Sequence, residues 1–466
     1  MNSEPTKNVI VIGAGLSGLT VAYRLKKQGH AVTVLEKENR AGGAIGSGRR
    51  DGFLWESGPN SGLDTTPLIN ELLDDLGIRE ERLGANKIAD RRFIVRGGRL
   101  IPMPMSPMTF FGTPLFSYAT KLGLLREPFI SRSSPEMEES VAGFVRRRLG
   151  EEFLEYAVGP FVSGIYAGDP EVLSVQAAFP KLFALEQRYG SLIRGAILGA
   201  RERKLKAEKS KNEAKSFSFK DGMQTFTDAL AKSLNDVQLE TSIESVQHEA
   251  SGTWIVRGKR NNENKEWRAA AVVLSAPADV ASALLAPFAE DAAAALKAIS
   301  YAPVATLISV WKRDDIAHQL DGFGFLVPRS EGLNILGSLF SSSMFPYRAN
   351  SDHAVLTTFI GGMRHPELPY KDDETLQQIM ERDLSRLIHI KNPPLWTQIY
   401  RHPRAIPQYT FGHLQRIQRI DAAKKTHRGV FFCANWRGGI ALGDCVKNGH
   451  DTADEIHAYF SETVPA

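Results

Sequence analysis

The run Val9-Ile-Val-Ile-Gly13-Ala-Gly15-Leu-Ser-Gly18 decides the fold class of this 466-residue chain. An apolar strand over residues 8–12 leads into a GxGxxG turn that opens a helix of about ten to twelve residues, and a second strand over residues 31–36 closes a βαβ unit. In such a turn the first glycine permits the bend, the second leaves room for a pyrophosphate, and the third lets helix and strand approach closely. The pattern predicts a Rossmann-type unit that binds a dinucleotide at the positive end of the helix.

An acidic residue and a second glycine-rich stretch support this prediction. Glu36 ends the second strand 18 residues after Gly18, where a carboxylate can accept hydrogen bonds from ribose hydroxyls. The chain continues Lys37-Glu-Asn-Arg40-Ala-Gly-Gly43 and later Gly58-Pro-Asn60. The first of these stretches resembles the ExxxRxGG continuation of glutathione-reductase-like flavoproteins. An extended cofactor such as FAD suits a second glycine-rich stretch beyond the acid.

A third glycine-rich stretch lies near the C-terminus. It reads Cys433-Ala-Asn-Trp-Arg-Gly438-Gly439-Ile-Ala-Leu-Gly443-Asp444, between a predicted strand over residues 430–434 and a predicted helix over residues 445–459. In such flavoproteins the N-terminus of this helix lies near the flavin pyrimidine and stabilises negative charge on the reduced ring. The alternative is plain capping of the helix by Asp444. Both roles are compatible.

Composition excludes several classes of protein. The length favours two or three core-building units, and a net charge of +4 without a basic, aromatic stripe gives no case for binding nucleic acid. The two cysteines, Cys433 and Cys445, form no CxxC pair, and the histidines form no HExxH motif. We therefore expect neither a disulfide framework nor a metal site, and a reducing compartment fits. Residues 1–8 lack the pattern of a signal or transit peptide.

Two segments bear on membrane contact. Residues 100–120 carry no charge and are long enough to span a bilayer, but they contain Pro102, Pro104, Pro107 and Pro114. Because a helix interior tolerates proline poorly, we expect a membrane-facing or ligand-lining segment rather than a spanning helix. The basic segment 201–215 is either a solvated face or a docking patch for anionic lipid.

The rest of the chain divides by its periodicity. A helix is predicted over residues 67–76, short β-like pieces near residues 92–96, and mostly helix over residues 115–200. Runs rich in β-branched residues predict strands at 243–247, 254–257, 271–275, 304–310, 324–327, 335–339 and 355–360.

More specific motifs resemble a known family, the oxygen-dependent protoporphyrinogen oxidases, almost from end to end. They are Phe161-Val-Ser-Gly-Ile-Tyr-Ala-Gly168, Leu173-Ser-Val-Gln-Ala-Ala-Phe-Pro180, Gly322-Phe-Gly-Phe-Leu-Val-Pro328, Leu336-Gly-Ser-Leu-Phe-Ser-Ser-Ser-Met-Phe-Pro346 and Thr357-Thr-Phe-Ile-Gly-Gly362. The resemblance implies an α/β chain of the amine-oxidase type with three units. These are an FAD-binding domain (1–88, 216–295, 406–466), a mixed-sheet substrate domain (89–98, 296–405) and a helical, membrane-associating domain (99–215).

The same resemblance assigns residues to the substrate and the cofactor. Arg92 would bind a substrate propionate, for which a guanidinium offers a planar cationic fork, although Arg91 is the alternative because only one of two neighbours in a strand points inward. Leu326, Leu339 and Phe359 would sandwich the tetrapyrrole, Gly164 would approach its reacting face, and Asn60 would be a polar neighbour of flavin and substrate. FAD would contact Gly13, Ala14, Gly15, Leu16, Ser17, Gly18, Glu36, Lys37, Arg40, Gly42, Gly43, Ala44, Gly58, Pro59, Asn60, Ser61, Val246, Ala434, Asn435, Gly439, Ile440, Ala441 and Leu442.

The implied activity is oxidation of protoporphyrinogen IX to protoporphyrin IX, with hydride passing to flavin N5 and dioxygen yielding hydrogen peroxide. No residue pair in the sequence stands out as an acid–base catalyst. The implied protein is a homodimer, peripheral on the cytoplasmic side of a membrane. The closest alternative is a coproporphyrinogen III oxidase, which should carry more cations around its pocket. More distant alternatives are an amine oxidase, a carotenoid desaturase, and a lipid-escort protein that has lost flavin.

Overall fold

A computed structural model describes residues 8–205 and 215–462, so the prediction for the N-terminal residues 1–8 and most of the basic segment 201–215 fall outside the described residues. The strands in chain order are β1 (Asn8–Ile12), β2 (Ala31–Leu35), β3 (Ser47–Arg50), β4 (Phe53–Glu56), β5 (Gly62–Leu63), β6 (Arg82–Gly84), β7 (Phe93–Arg96), β8 (Arg99–Pro102), β9 (Ser216–Phe219), β10 (Val237–Gln238), β11 (Thr241–His248), β12 (Trp254–Arg260), β13 (Glu263–Ala269), β14 (Ala271–Leu274), β15 (Tyr301–Lys312), β16 (Gly324–Leu326), β17 (Ile335–Leu339), β18 (His353–Gly361), β19 (Trp396–Pro407) and β20 (Val430–Phe432).

The helices in chain order are α1 (Leu16–Lys27), α2 (Pro67–Asp75), α3 (Pro107–Gly112), α4 (Tyr118–Gly123), α5 (Val141–Leu149), α6 (Glu151–Phe153), α7 (Gly159–Tyr166), α8 (Val175–Ala178), α9 (Pro180–Tyr189), α10 (Leu192–Leu205), α11 (Gln224–Ser233), α12 (Ala278–Leu285), α13 (Glu290–Lys297), α14 (Ser341–Met344), α15 (Asp373–Ile388), α16 (His413–Thr426) and α17 (Leu442–Glu462).

A five-stranded parallel sheet of order β10-β2-β1-β14-β20 carries the N-terminal glycine turn. Side chains of β1 alternate between two cores: Val9 and Val11 pack on one face with α1 and α17, whereas Ile10 and Ile12 pack on the other face with α12 and α13. A strand that is buried on both faces must be apolar throughout, which explains the unbroken run at residues 9–12. The predicted βαβ unit is confirmed.

A seven-stranded mixed sheet has the order β19-β15-β18-β17-β16-β7-β8, in which β16 and β7 are parallel and the other pairs antiparallel. One face packs against α15 through residues that include Phe325, Ile335 and Leu376. Because successive side chains of a strand point to opposite faces, Leu326 and Leu336 lie on the other face.

Residues 107–205 form a helical region, α3–α10, as predicted for residues 115–200. Its core contains Val141, Phe144 and Val145 on one face of α5, together with Tyr166 at the end of α7. Among the described residues, no helix combines the length and the apolar character needed to cross a membrane.

Several elements differ from the sequence predictions, among them the strands β3, β4, β10 and β13, which were not predicted. The helix α17 begins at Leu442, three residues earlier than predicted, so Asp444 lies in its first turn and the proposed N-cap role of Asp444 is wrong. The long strand β19 was not predicted. It lies at a sheet edge with many exposed positions and a proline inside it, and therefore lacks the apolar run that marks a buried strand.

Candidate active site

The N-terminal glycine turn contains two kinds of glycine. Gly13 has φ of +107°, and a Cβ atom there would lie 2.6 Å from the carbonyl oxygen of Ser275. A Cβ on Gly18 would lie 2.1 Å from the carbonyl oxygen of Gly13, so both positions need glycine for packing. A Cβ on Gly15 would meet no atom within 4 Å. Gly15 also precedes α1 without a side-chain cap, which leaves open space at the positive end of the helix.

Glu36 lies beside this turn, buried at the end of β2. Its carboxylate accepts hydrogen bonds from the backbone N–H of Ala14 at 2.7 Å and of Glu38 at 2.9 Å. These bonds hold the carboxylate next to the open space at Gly15. The predicted turn, strand and acid therefore come together in the arrangement that a ribose and a pyrophosphate require.

The second glycine-rich stretch crosses the first. Gly42 forms an isolated parallel bridge with Gly15, and a Cβ on Gly43 would lie 3.1 Å from the Cα of Gly15. A Cβ on Gly58 would lie 1.9 Å from the carbonyl oxygen of Ala44, so the stretch around Gly58 packs directly on the same loop. Arg40 braces the loop, since its guanidinium donates to the carbonyl oxygens of residues 41, 43 and 45. Lys37 and Pro59 are exposed, and Ser61 is half-buried.

The third glycine-rich stretch is tied to the rest of the molecule by Tyr409. The Tyr409 hydroxyl donates to the carbonyl oxygen of Asn435 at 2.7 Å and accepts from the N–H of Gly439 at 3.1 Å. Ile440 packs against the core of the helical region, and Ala441 and Leu442 lead into α17. Ala434 and Val246 are buried in the core that also contains Ile12 and Leu35.

These features fit FAD on structural grounds. The first and second glycine-rich stretches meet around an open position at Gly15, an acid stands at the ribose side, and an uncapped helix end faces the phosphate position. Within the described ranges, no group of three His, Cys, Asp or Glu side chains is arranged to hold a metal ion.

Three of the predicted substrate residues lie on neighbouring strands of the mixed sheet. Leu326 on β16 and Phe359 on β18 both pair with Gly337 on β17, so a position without a side chain separates them. Leu339 pairs with Thr357, two residues before Phe359. A Cβ on Gly164 would lie 2.8 Å from Cδ2 of Leu326, which shows that α7 lies directly against this apolar wall.

Arg91 and Arg92 differ clearly in their surroundings. Arg91 forms a salt bridge with Asp321, and its side chain is 53% exposed. Arg92 forms no salt bridge with any residue that the structure describes; its guanidinium lies 5.1 Å from the ring centroid of Phe323, which packs in the same cluster as Leu339. Burial lowers the pKa of Arg92 more than the charge of Asp90 raises it, and part of the side chain remains accessible. Of the two arginines, Arg92 is the one that forms no salt bridge with a described carboxylate.

Sequence reasoning missed a buried polar cluster around Asn60. Its members are Asn60, Glu56, Arg348, Ser218 and Ser341, and the Nη2 of Arg348 donates to Oε1 of Glu56 at 2.9 Å. Burial raises the pKa of Glu56 to about 7, against the opposing charge of Arg348. The available signal was a carboxylate at the end of β4, an otherwise apolar strand that is buried throughout.

Another buried ionisable side chain is His413. It stacks on Tyr409 with 4.1 Å between ring centroids, and burial lowers its pKa to about 4. The ring is thus neutral near pH 7, and neither ring nitrogen bonds to another described residue.

Comparison with known proteins agrees with this geometry. The family model for flavin containing amine oxidoreductase matches residues 16–457. The mitochondrial protoporphyrinogen oxidase of Nicotiana tabacum is 35% identical over 97% of this chain and 95% of its own length. The coproporphyrinogen III oxidase of Staphylococcus aureus (strain NCTC 8325 / PS 47) is 30% identical over 97% of this chain and 99% of its own length.

A crystal structure of a provisionally named protoporphyrinogen oxidase from Exiguobacterium sp. 255-15 superposes with a TM-score of 0.82, at 26% identity, over 98% of this chain and 100% of that one. The family match and the glycine-lined site together establish FAD as the cofactor. The chain belongs to the flavin-containing amine oxidoreductase family, in the branch that contains the protoporphyrinogen and coproporphyrinogen oxidases.

Proposed function

We propose that the chain oxidises protoporphyrinogen IX to protoporphyrin IX, with dioxygen as the final acceptor and hydrogen peroxide as its product. The observation that carries the proposal is the position of Arg92, a cation without a salt bridge to any described carboxylate, beside an apolar wall. A porphyrinogen with few carboxylates needs this combination. The names of two curated relatives support it.

The residues divide the work of binding. Arg92 binds a propionate by paired hydrogen bonds, and Leu326, Leu339 and Phe359 hold the apolar rings over the gap that Gly337 leaves. Gly164 lets α7 approach that wall without a side chain. The FAD segments run through Gly13, Gly15, Gly43 and Gly58, with Glu36 at the ribose. When bound, FAD supplies the hydride acceptor for the substrate carbon.

Coproporphyrinogen III is the second candidate substrate because one observation favours it. Arg364 donates through Nη2 to the carbonyl oxygen of Val327, the residue after Leu326, while its buried Nη1 has no hydrogen-bond partner among the described residues. Burial and the charge of Arg329 lower the pKa of Arg364 to about 10, so it remains cationic at pH 7. A second cation near the wall suits additional propionates, as does the Staphylococcus aureus relative.

The proposal places the chain on the cytoplasmic surface of a membrane, as a homodimer. Large apolar side chains of the helical region face outward: Met108 is 86% exposed, Phe129 82% and Tyr118 81%. Contiguous patches of exposed apolar side chains mark membrane or protein contacts, and we propose that these side chains belong to one. Flotation with anionic liposomes tests the placement. If the wild type and Phe129→Glu both remain at the bottom of the gradient, the placement is contradicted.

The deciding experiment adds each porphyrinogen to the FAD-loaded protein without oxygen and follows bleaching of the flavin absorbance. We expect protoporphyrinogen to bleach the flavin faster than coproporphyrinogen does. Arg92→Ala should raise the half-saturating concentration at least tenfold, because a charge-assisted pair with the propionate is lost. The matched control is Arg91→Ala, whose partner is Asp321, and it should change this concentration less than twofold. Equal effects of the two variants would refute the role of Arg92.

A further inference from the structure

We infer that Arg348, held by Glu56, is a positioning residue that fixes the carboxamide of Asn60 so that the amide presents N–H, and not its oxygen, to the flavin and substrate. The inference rests on the proposed function and extends it to the orientation of one side chain. It stands on the hydrogen bonds of a buried cluster in which only Asn60 retains some exposure, 6%.

The orientation of Asn60 follows from the chemistry of its neighbours. A guanidinium has donors and no acceptor, so the Asn60 atom that meets Nη1 of Arg348 must be the oxygen Oδ1. Rotation of the amide would place its NH₂ group against the guanidinium and leave donors unpaired. The Nδ2 atom consequently faces Oγ of Ser341 at 2.9 Å and keeps a second hydrogen that no described residue uses.

Ser341 connects Asn60 to the substrate wall. Its Oγ lies 2.8 Å from Oγ1 of Thr357, which is on β18 two residues before Phe359. Ser341 itself follows Leu339 by two residues. The carboxamide of Asn60 is thus attached to the sheet that would hold the macrocycle, while its backbone continues from the glycine-rich stretch at Gly58.

Arg348 is held on several sides. Its Nη2 donates to Oε1 of Glu56 at 2.9 Å, to the carbonyl oxygen of Asn60 at 2.9 Å and to Oγ of Ser218 at 3.1 Å. Its guanidinium lies 4.6 Å from the ring centroid of Phe345. Such a network leaves the guanidinium one orientation, and the amide that it contacts inherits that orientation.

Glu56 makes the cluster sensitive to pH. Oε1 of Glu56 accepts from the N–H of Met223 at 3.0 Å, and Oε2 accepts from Oγ of Ser47 at 2.5 Å. Of the described residues, the ionisable groups that act on Glu56 are Arg348 and Tyr347, whose hydroxyl donates to the carbonyl oxygen of Phe219. Below about pH 7 Glu56 is neutral and the charge of Arg348 is uncompensated; above it the pair is neutral overall. The local charge therefore changes near pH 7 while Asn60 keeps its orientation.

The test measures anaerobic flavin reduction by porphyrinogen in FAD-loaded variants. Arg348→Met leaves the Glu56 carboxylate buried without its partner and threatens folding, so the principal variant is Glu56→Gln with Arg348→Met, which removes both charges. We expect the limiting rate of reduction to fall at least tenfold, with a smaller change in half-saturating concentration. Asn60→Asp should show the same loss, because a carboxylate has no N–H. Arg348→Lys, which keeps a cationic donor, should be reduced faster than Arg348→Met and more slowly than the wild type.

A second arginine provides a matched control. Arg82 contacts the Oδ1 of Asn70, pairs with Asp64 at 2.9 Å and lies 4.4 Å from the ring centroid of Phe217, yet it belongs to neither predicted binding set. Arg82→Met should change the rate less than twofold. Wild-type kinetics in the double variant, or an equal loss in Arg82→Met, would overturn the inference.

Glu56→Gln alone should abolish any step near pH 7 in the rate profile, and persistence of that step would also count against the inference. If no porphyrinogen reduces the wild-type flavin, the proposed function fails by itself. The positioning role is then read from the visible absorption bands of bound FAD. These bands should shift in the double variant and in Asn60→Asp but not in Arg82→Met, and unshifted bands would overturn the inference.

Discussion

Arg148 in the helical region and Arg348 beside Asn60 are both inaccessible to water, but their partners differ. Arg148 contacts two buried carboxylates: its Nε lies 2.7 Å from Oε1 of Glu186, and its Nη1 lies 3.2 Å from Oε1 of Glu127. Arg348 has one buried carboxylate, that of Glu56, and its Nε bonds to no other described residue. The guanidinium of Arg148 thus has two carboxylate partners, whereas that of Arg348 has one.

The difference appears in the two glutamates. Burial raises the pKa of Glu186, but hydrogen bonds from Arg147, Arg148 and Ser133 outweigh burial and lower the pKa overall. For Glu56 burial prevails over the charge of Arg348 and raises the pKa to about 7. Glu186 has two arginine donors and lies less deeply in the protein, whereas Glu56 has one arginine donor and lies deeper, and the two differences act in the same direction. The helical cluster is therefore built for stability, whereas the cluster beside Asn60 is poised to change charge near neutral pH.

The largest effect is expected from Arg148→Met. Among the described residues, the change leaves Glu127 without a cationic partner and Glu186 with Arg147 alone. It should lower the free energy of unfolding by about 3–5 kcal/mol, measured by urea denaturation at pH 7.5. The neighbouring Arg146→Met is the control, because Arg146 pairs with Glu151 and Glu171 at the surface and should contribute about 1 kcal/mol or less. A difference below 1 kcal/mol between the two variants would mean that the helical cluster is dispensable.

A smaller contrast separates Glu186→Gln from Glu56→Gln. At position 186 the amide NH₂ would face Arg147 and Arg148, and the loss should be about 3 kcal/mol at pH 7.5. At position 56 the carboxyl group is near its pKa, so removal of its charge should cost about 1 kcal/mol or less. Urea midpoints of the two variants give the comparison directly. A larger loss from Glu56→Gln would reverse our ranking of the two clusters.

The smallest effect concerns pH. Because the pKa of Glu56 is higher in the folded chain, the folded chain keeps a proton that the unfolded chain releases, and this stabilisation is lost as pH rises from about 4.5 to about 7. The lowered pKa of Glu186 acts in the opposite sense, since its contribution is present above its ordinary value and is lost at lower pH.

The free energy of unfolding of the wild type should therefore fall between pH 5 and pH 8. The fall should exceed that of Glu56→Gln by on the order of 2 kcal/mol. Parallel curves for the two proteins would show that Glu56 does not titrate in this range.

The sequence predicted those parts of the molecule that depend on neighbouring residues. The glycine turn, Glu36 and four of the five strands of the parallel sheet are set by local spacing, and the structure has them where they were expected; the short strand β10 was not predicted. The cluster at Asn60 was not predicted, because Glu56 and Arg348 are 292 residues apart and only the fold brings them together. The choice between Arg91 and Arg92 likewise needed Asp321, which lies 230 residues away. The roles of the predicted site residues and the division into three domains stay predictions.

The order of strands in the parallel sheet has a consequence for synthesis of the chain. β1 pairs with β14, which pairs with β20 at Val430–Phe432, and Leu442 begins the helix beyond it. The ribosome must therefore synthesise most of the polypeptide before the three glycine-rich stretches of the FAD site can come together. Until then the N-terminal strands of the nascent chain have unpaired edges. The yield of active protein in cells should therefore depend on chaperones that bind the chain during translation and on the supply of FAD when translation ends.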